Sequence, residues 1–83
     1  MEKYLNEVYI DCLIYSLNKE AKTAEVIGYD RVSRYIFVPR SIQYDSQEYI
    51  IERISDYSFQ FSNIIEIRFP ANSEIKKIGV GSF

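Results

Sequence analysis

The sequence contains no histidine and no tryptophan among its 83 residues, and cysteine occurs only once. Histidine is the commonest general base and the commonest metal ligand, so its absence counts against metal sites and imidazole-based catalysis. Cys12 cannot form an intramolecular disulfide, and no imidazole is present to activate it as a nucleophile. It lies in an apolar stretch, where a small core or sheet residue is the stronger interpretation. We expect neither a bound metal nor a cofactor.

Long apolar runs and an excess of positive charge are also missing. No segment approaches the roughly 18 consecutive apolar residues that a membrane span requires, and the first residues lack the basic start of a secretory signal. The net charge is −2, and the densest basic stretch, residues 31–40, is short. A nucleic-acid-binding domain needs a concentrated basic face, so nucleic acid is not the expected partner. The cell compartment stays open.

Leucine is scarce, with three residues at positions 5, 13 and 17, whereas isoleucine, tyrosine and phenylalanine are abundant. β-branched and aromatic side chains suit a pleated, half-buried surface, so the composition favours a mainly β fold. A chain of this length forms one small domain with a thin core. We therefore expect a single domain over residues 1–83.

The order of apolar and polar segments predicts two antiparallel hairpins. Residues 8–17 and 23–29 are rich in strand formers and are separated by the polar residues 18–22, although a helix over residues 13–22 is the competing interpretation. The second hairpin covers residues 41–53, with its turn at Asp45-Ser46-Gln47.

Between the hairpins, a turn is expected at Gly28-Tyr29-Asp30. A strand follows it over residues 34–38 and ends at Pro39, which cannot donate to a ladder.

An internal repeat is the most informative feature of the chain. Residues 51–59 align with residues 75–83, and four side chains recur at a spacing of 24, namely Ile51, Ile54, Ser58 and Phe59 with Ile75, Ile78, Ser82 and Phe83. The preceding strands align at an offset of 31, Ile36-Phe37-Val38-Pro39 with Ile67-Arg68-Phe69-Pro70. The first unit thus carries seven extra residues, which fall in the second hairpin.

A period of 20–29 residues with one strand per unit is typical of leucine-rich repeats. Each unit starts with a short strand and continues into a second extended segment with Ile75 and Ile78 pointing inward. A tight turn or single helical turn then buries Phe83, or Phe59 in the first unit. No unit buries its apolar edge alone, so each stacks on its neighbour.

These residues resemble the BspA-type leucine-rich repeats, whose consensus is an aliphatic strand ending in Ile-Pro followed by Ile-x-x-Ile-Gly-x-x-Ala-Phe. Residues 64–70, residues 75–79 and Ser82-Phe83 match it closely, with Ser55 in place of the usual glycine in the first unit. Tyr15-Ser16-Leu17-Asn18, Lys22-Thr23-Ala24-Glu25-Val26 and Phe37-Val38-Pro39 are similar to the family's N-terminal segment, in the same order.

The resemblance implies N-terminal β-hairpins leading into a short solenoid, with one short strand per repeat and short helical turns. Residues 1–50 would form a hairpin or cap segment, and residues 51–83 about one and a half repeat units, truncated at the C-terminus. It also implies a non-enzymatic, protein-binding role of the kind found in surface and adhesion proteins. The alternative is a capping and folding segment of a longer array whose other repeats perform the recognition.

The second unit stops before another strand, which predicts an open edge at residues 75–83. Such an edge invites pairing with another molecule, including a second copy of the chain. The specific protein partner is not indicated by the sequence.

Alternation along the strands predicts a candidate binding face. Ile36, Val38, Ile65, Ile67 and Phe69 are expected to point inward, leaving Tyr35, Phe37, Glu66 and Arg68 outward. Aromatic residues beside an arginine are the composition of interface hot spots. The competing interpretation is that the N-terminal hairpin covers Tyr35 and Phe37 as ordinary core residues.

Catalysis is the weakest hypothesis. The carboxylates Asp11, Asp30, Asp45 and Asp56 lie in no recognisable catalytic motif. Asp45 fits a hairpin tip, and Asp56 fits the cap of a helical turn. Gly79 and Gly81 resemble no phosphate loop and are expected to give backbone freedom at the turn before Phe83.

Overall fold

The computed structural model describes residues 7–56, 58–59 and 63–79, and all the regular elements in these ranges are β-strands. In chain order they are β1 (Glu7–Ile10), β2 (Leu13–Asn18), β3 (Thr23–Tyr29), β4 (Tyr35–Phe37), β5 (Ser41–Tyr44), β6 (Gln47–Ile54), β7 (Glu66–Arg68) and β8 (Lys77–Ile78). The mainly β prediction is confirmed.

The first three strands form an antiparallel meander at one side of a six-stranded sheet, in the order β1-β2-β3-β6-β5, and the sixth strand, β8, also pairs with β6. The expectation of one continuous strand over residues 8–17 is wrong, because the chain turns at Asp11 and Cys12 between β1 and β2. Asp11 has φ 55°, a left-handed conformation that aspartate tolerates better than most residues. The β2–β3 hairpin is confirmed over the competing helix, and the Asn18 side chain accepts the N–H groups of Glu20 and Ala21 in its turn.

The turn predicted at Gly28-Tyr29-Asp30 begins later than expected, because β3 continues to Tyr29. The Asp30 carboxylate accepts the backbone N–H groups of Val32 and Ser33 at 3.0 Å and 2.9 Å. This side-chain turn reverses the chain and leads it into β4.

The second hairpin, β5–β6, turns at Asp45 and Ser46 as predicted, and both residues have positive φ, as a two-residue type I′ turn requires.

Successive strands of the repeat stack in parallel, in two columns. In the first column β3 pairs with β6 and β6 pairs with β8, so that Val26, Ile54 and Ile78 form one row across three strands. In the second column β4 pairs with β7, with Ile36 beside Ile67. Ile54 and Ile78 are 24 residues apart, and Ile36 and Ile67 are 31 apart. The two offsets read from the sequence are therefore the two registers of the structure.

The backbone contacts repeat as well as the side chains. The N–H of Ser55 donates to the Val26 carbonyl at 2.8 Å, and the N–H of Gly79, one unit later, donates to the Ile54 carbonyl at 2.7 Å. Each unit thus satisfies the polar backbone of its predecessor at the same point. The two units are consecutive turns of one short solenoid, and we call each turn a coil.

One hydrophobic core joins the two columns. Ile36 from β4 and Val38, which directly follows it, lie in the same buried cluster as Val26, Ile51 and Ile54 from the larger sheet, together with Leu13, Tyr15 and Phe59. Phe59 is 1% exposed, which confirms its predicted place at the buried end of the first coil. Phe83 lies outside the described residues.

The second coil is less buried than the repeat pattern predicts. Ile67 and Ile75 pack partly against the core, but Ile65 is 62% exposed and Phe69 38%, so the prediction that these two point inward is wrong. Strand alternation fails before β7 because the N–H groups of Ile65 and Glu66 both donate to the Arg34 carbonyl. Ile78 is 49% exposed, because in the described part of the chain β8 has a neighbour only on its β6 side.

The expected helical turn after Ile54 is wrong within the described residues, and with it the assignment of Asp56 as its cap. The chain instead makes a tight turn in which the buried Ser58 hydroxyl lies 3.0 Å from the Val26 carbonyl and 2.8 Å from the Ser55 carbonyl, and its single proton can be donated to either oxygen. The hydroxyl of Ser55 lies 2.7 Å from that of Ser58. These contacts tie the turn to the backbone of β3.

Gly79 is required by close packing between the coils. A Cβ atom at this position would lie 2.5 Å from the Asp56 backbone nitrogen and 2.7 Å from the Ser55 carbonyl carbon, and neither atom can move without shifting the first coil. The role expected from sequence, backbone freedom in a turn, is replaced by close approach. Gly81 lies outside the described residues.

We predict that Gly79→Ala lowers the free energy of unfolding by about 1–3 kcal/mol, because an added methyl group overpacks the coil contact. Gly28→Ala is the matched control, since its Cβ would meet only the Ile14 Cδ1 atom, at the ordinary distance of 3.6 Å. That change should alter the free energy of unfolding by less than about 0.5 kcal/mol. Urea denaturation of both variants measures the difference, and equal effects would contradict the close-packing role.

Candidate functional site

The outward side of the β4–β7 sheet carries the four residues predicted as a binding face. Tyr35 is 66% exposed and Phe37 53%, whereas Ile36 between them is 2% exposed. The alternation predicted for β4 is confirmed, and the competing interpretation of Tyr35 and Phe37 as core residues is wrong. Two large aromatic side chains on solvent-facing positions of so small a domain are costly unless something covers them.

The parallel register places the second strand beside the first. Tyr35 is level with Glu66, and Phe37 is level with Arg68. The guanidinium of Arg68 forms an ion pair with the Glu66 carboxylate on the same strand, and the Arg68 side chain is exposed whereas that of Glu66 is half-buried. We call the surface formed by Tyr35, Phe37, Glu66 and Arg68 the β4–β7 face.

Local structure explains why the β4–β7 face is solvent-exposed. Ile36 and Val38 are held in the core, which turns the alternate residues Tyr35 and Phe37 outward. The N–H of Val38 donates to the Arg68 carbonyl at 2.9 Å, and Pro39 then ends the strand pairing. The face is thus fixed by burial on its reverse side and by backbone pairing along its length.

The loop before β4 is held by Asp30. The Asp30 carboxylate accepts hydrogen bonds from the backbone N–H groups of Ser33 and Val32 and from the Ser33 hydroxyl. These bonds hold the pKa of the Asp30 carboxyl below its usual value. Because the pKa is depressed, the hydrogen bonds to the ionised Asp30 carboxylate stabilise the fold above the usual pKa of an aspartate, near 4. This stabilisation is lost as pH falls through the native pKa. On the same loop, the Arg31 guanidinium lies 5.3 Å from the centre of the Tyr29 ring, which fits a cation–π contact.

The β4–β7 face can contribute aromatic surface, a positive charge and a negative charge to a partner. Tyr and Arg are enriched at interface hot spots because they combine large contact area with hydrogen bonding. The Glu66–Arg68 pair is exposed and contributes little to stability in the free protein, so it can exchange partners at small cost.

Two other aspartates considered above lie in separate turns rather than in a common site. Asp45 lies at the β5–β6 hairpin tip, as predicted, and Asp11 lies in the β1–β2 turn. In the described ranges, no group of three or more His, Cys, Asp or Glu side chains is arranged to hold a metal ion. Cys12 is partly buried against the hydrophobic core, in agreement with its predicted packing role.

A second, polar surface lies on the larger sheet and was not predicted from the sequence. The pairings of β2, β3, β6 and β8 bring Ser16, Glu25, Arg53 and Lys77 into one row across the strands. An open groove of about 770 Å³ lies beside the first three of these residues. The row holds one acidic and two basic side chains, and residues so far apart in sequence show no shared pattern before the register is known.

Known proteins with this fold are leucine-rich repeat proteins. The chain superposes on a leucine-rich repeat protein from Bacteroides capillosus with a TM-score of 0.81, at 24% identity over 94% of this chain and 57% of that one. It superposes on a leucine rich cell surface protein from Faecalibacterium prausnitzii with a TM-score of 0.62, at 17% identity over 88% of this chain and 26% of that one. No family profile matches the sequence, and no curated protein matches it.

These likenesses establish the fold, and the predicted leucine-rich-repeat architecture is confirmed at that level. The chain spans less than two thirds of each similar protein. Within the part of the chain that the structure describes, no helix is long and apolar enough to cross a membrane.

Proposed function

We propose that this segment is a non-enzymatic, protein-binding leucine-rich-repeat module and that the β4–β7 face is its recognition surface. The observation that carries the proposal is the exposure of Tyr35 and Phe37 on a rigid sheet, level with Glu66 and Arg68. Rigid aromatic anchors lose little conformational entropy on binding, which favours affinity.

A protein is the partner that fits this surface best. Two aromatic rings with one acidic and one basic side chain match the mixed apolar and polar character of protein interfaces. A net charge of −2 is unsuited to nucleic acid. The carboxylates described above are engaged in turns, which is consistent with a binding role rather than catalysis.

An adhesion role at the cell surface is the finer form of this proposal. It is supported by the resemblance of the repeats to BspA-type sequences and by the structural similarity to a cell surface protein of Faecalibacterium prausnitzii. In this form, the partner is an extracellular protein of a host cell or matrix.

We predict that the double variant Tyr35→Ala/Phe37→Ala weakens binding to a captured extracellular partner by about 2 kcal/mol, roughly 30-fold. Its melting temperature should stay close to that of the wild type, because both side chains are exposed. The measurement is a binding scan of matrix and cell-surface proteins, followed by titration of each hit.

Tyr9→Ala/Tyr44→Ala is the matched control, since Tyr9 is 59% and Tyr44 42% exposed on strands of the other sheet. This control should leave affinity unchanged. Equal loss of affinity in both double variants, or hits unaffected by either, would contradict recognition by the β4–β7 face.

A second function, capping, is favoured by the β1–β2–β3 meander. β3 pairs in parallel with β6 and so occupies the position of a coil that precedes the first repeat, while β1 and β2 extend the sheet away from the solenoid. In this role residues 1–50 seal one end of the repeat array and stabilise the coils that follow. Recognition would then belong to other repeats of a longer array.

If the meander acts as a cap, Leu13→Ala in β2 should lower the stability of both coils. Leu13 is 1% exposed, so we expect a loss of about 2–5 kcal/mol. Native-state hydrogen exchange should show the same loss at the amides of Ser55 and Gly79, which bond between coils. Tyr9→Ala should leave both amides protected. Unchanged protection of Ser55 and Gly79 in Leu13→Ala would contradict a capping role.

A further inference from the structure

The loop that connects β3 to β4, residues 30–34, is fixed by hydrogen bonds at both ends. The N–H of Asp30 donates to the Cys12 carbonyl at 3.0 Å, and the Arg34 carbonyl accepts two N–H groups at and just before the beginning of β7. Between these points the Asp30 carboxylate accepts the N–H of Val32 at 3.0 Å. We call this segment the Asp30 loop, and these bonds hold its tip in one position.

Arg31, within the Asp30 loop, has an unfavourable backbone conformation. Its φ is 68°, in the left-handed region that is costly for residues with a side chain. The other described non-glycine residues with positive φ lie in the hairpin turns between β1 and β2, β2 and β3, and β5 and β6. At Arg31 the conformation accompanies the contact of the guanidinium with the Tyr29 ring, 5.3 Å away. This contact helps to set the direction in which the chain continues to Val32.

The residue that the Asp30 loop presents to solvent is apolar. Val32 is 79% exposed, more than either Tyr35 or Phe37. A single exposed apolar residue needs no explanation, but Val32 lies only three residues before Tyr35 and so adds to the exposed apolar surface of the β4–β7 face. Because the loop is held by hydrogen bonds, Val32 stays exposed instead of folding back onto the core.

The unpaired charge beside this apolar surface is positive. Arg34 directly precedes β4 and is exposed, and it takes part in none of the ion pairs of the described residues. The nearby carboxylates are already engaged, since Glu66 pairs with Arg68 and Asp30 accepts the N–H groups of its own loop. A carboxylate on a partner is therefore the group that complements the surface at Arg34.

We propose that Val32 and Arg34 extend the β4–β7 face beyond the beginning of β4, and that the extended surface binds a protein segment in which an acidic residue lies beside apolar side chains. The acidic residue pairs with the Arg34 guanidinium, and the apolar side chains cover Val32 and Tyr35. This inference rests on the proposed function of the β4–β7 face and adds to it the chemistry of the partner.

A membrane is the other occupant that an exposed apolar residue beside arginines could meet. Attraction to an anionic membrane depends on clusters of several lysines and arginines. Here the net charge of the chain is −2, and the positive charge of Arg68 is already paired with Glu66. The charge of the surface therefore favours a protein segment with a single carboxylate.

A phage-displayed library of random short peptides is the probe for this proposal. Peptides selected on the wild-type chain should be enriched in Asp or Glu next to aromatic or aliphatic residues. Peptides selected on Arg34→Glu should carry Lys or Arg at the corresponding position, because the substitution reverses the charge that the peptide has to complement.

Titration of one selected peptide, synthesised free of the phage, measures the contribution of each residue. Val32→Ser and Arg34→Glu should each weaken its binding by about 10-fold or more. Exchange of the acidic residue of the peptide for lysine should weaken binding to the wild type and restore binding to Arg34→Glu. Such a reciprocal change reports a direct charge contact, which a loss of fold would not produce.

Matched controls lie on the larger sheet. Arg53→Glu makes the same charge reversal at another exposed arginine, and Tyr9→Ser removes another exposed apolar side chain. Both should bind the peptide like the wild type. Val32→Ser keeps the backbone N–H that Asp30 accepts, so circular dichroism should show an unchanged fold.

The outcomes separate this inference from its premise. A selected peptide whose binding depends on Tyr35 and Phe37 but not on Val32 or Arg34 would overturn the extension and leave the β4–β7 face as the recognition surface. Binding that depends on none of these four residues would overturn both.

Two further results would overturn the extension. One is a wild type that selects no peptide, in which case the β4–β7 face is judged by the binding scan of whole proteins alone. The other is binding of the wild type, but not of Val32→Ser, to vesicles of phosphatidylcholine and phosphatidylserine, which would identify the occupant as a membrane.

Discussion

Parallel backbone pairing between successive coils is the interaction on which the rest of the structure depends. The N–H of Gly79 bonds to the Ile54 carbonyl in one column, and the N–H of Val38 bonds to the Arg68 carbonyl in the other. Neither β7 nor β8 is long enough to bury an apolar face alone, so the second coil exists only by pairing with the first. The absence of a side chain at Gly79 permits that contact, because any Cβ atom there would meet the backbone of Ser55 and Asp56.

The registers of this pairing also determine which side chains are solvent-exposed. Ile36 and Val38 are drawn into the core shared with β6, and this leaves Tyr35 and Phe37 on the outside. The same register sets Arg68 level with Phe37 and Glu66 level with Tyr35, although 31 residues separate the members of each pair. A surface of mixed chemistry thus arises from two strands that are too short to form a sheet elsewhere.

The coil-to-coil registers were predictable because equivalent side chains recur wherever equivalent positions stack, as Ile54 and Ile78 do. The outward positions of Tyr35 and Phe37 followed from alternation about Ile36. The predictions from sequence were wrong where a local hydrogen bond overrides the strand alternation or the repeat pattern. The Arg34 carbonyl accepts two consecutive N–H groups, so Ile65 turns outward. The Ser58 hydroxyl lies within hydrogen-bond distance of the Val26 and Ser55 carbonyls, and the chain makes a tight turn there in place of the predicted helical turn. The reversal at Asp11 carries no glycine or proline to mark it.

Trans-hydrogen-bond scalar couplings in NMR test the stacking of the coils most directly, because they report which amide nitrogen bonds to which carbonyl carbon. Two couplings are predicted, one from the Gly79 nitrogen to the Ile54 carbonyl and one from the Val38 nitrogen to the Arg68 carbonyl. Together they establish both registers, at separations of 24 and 31 residues. Couplings from Gly79 or Val38 to any other carbonyl would contradict the two-column solenoid and the β4–β7 face that depends on it.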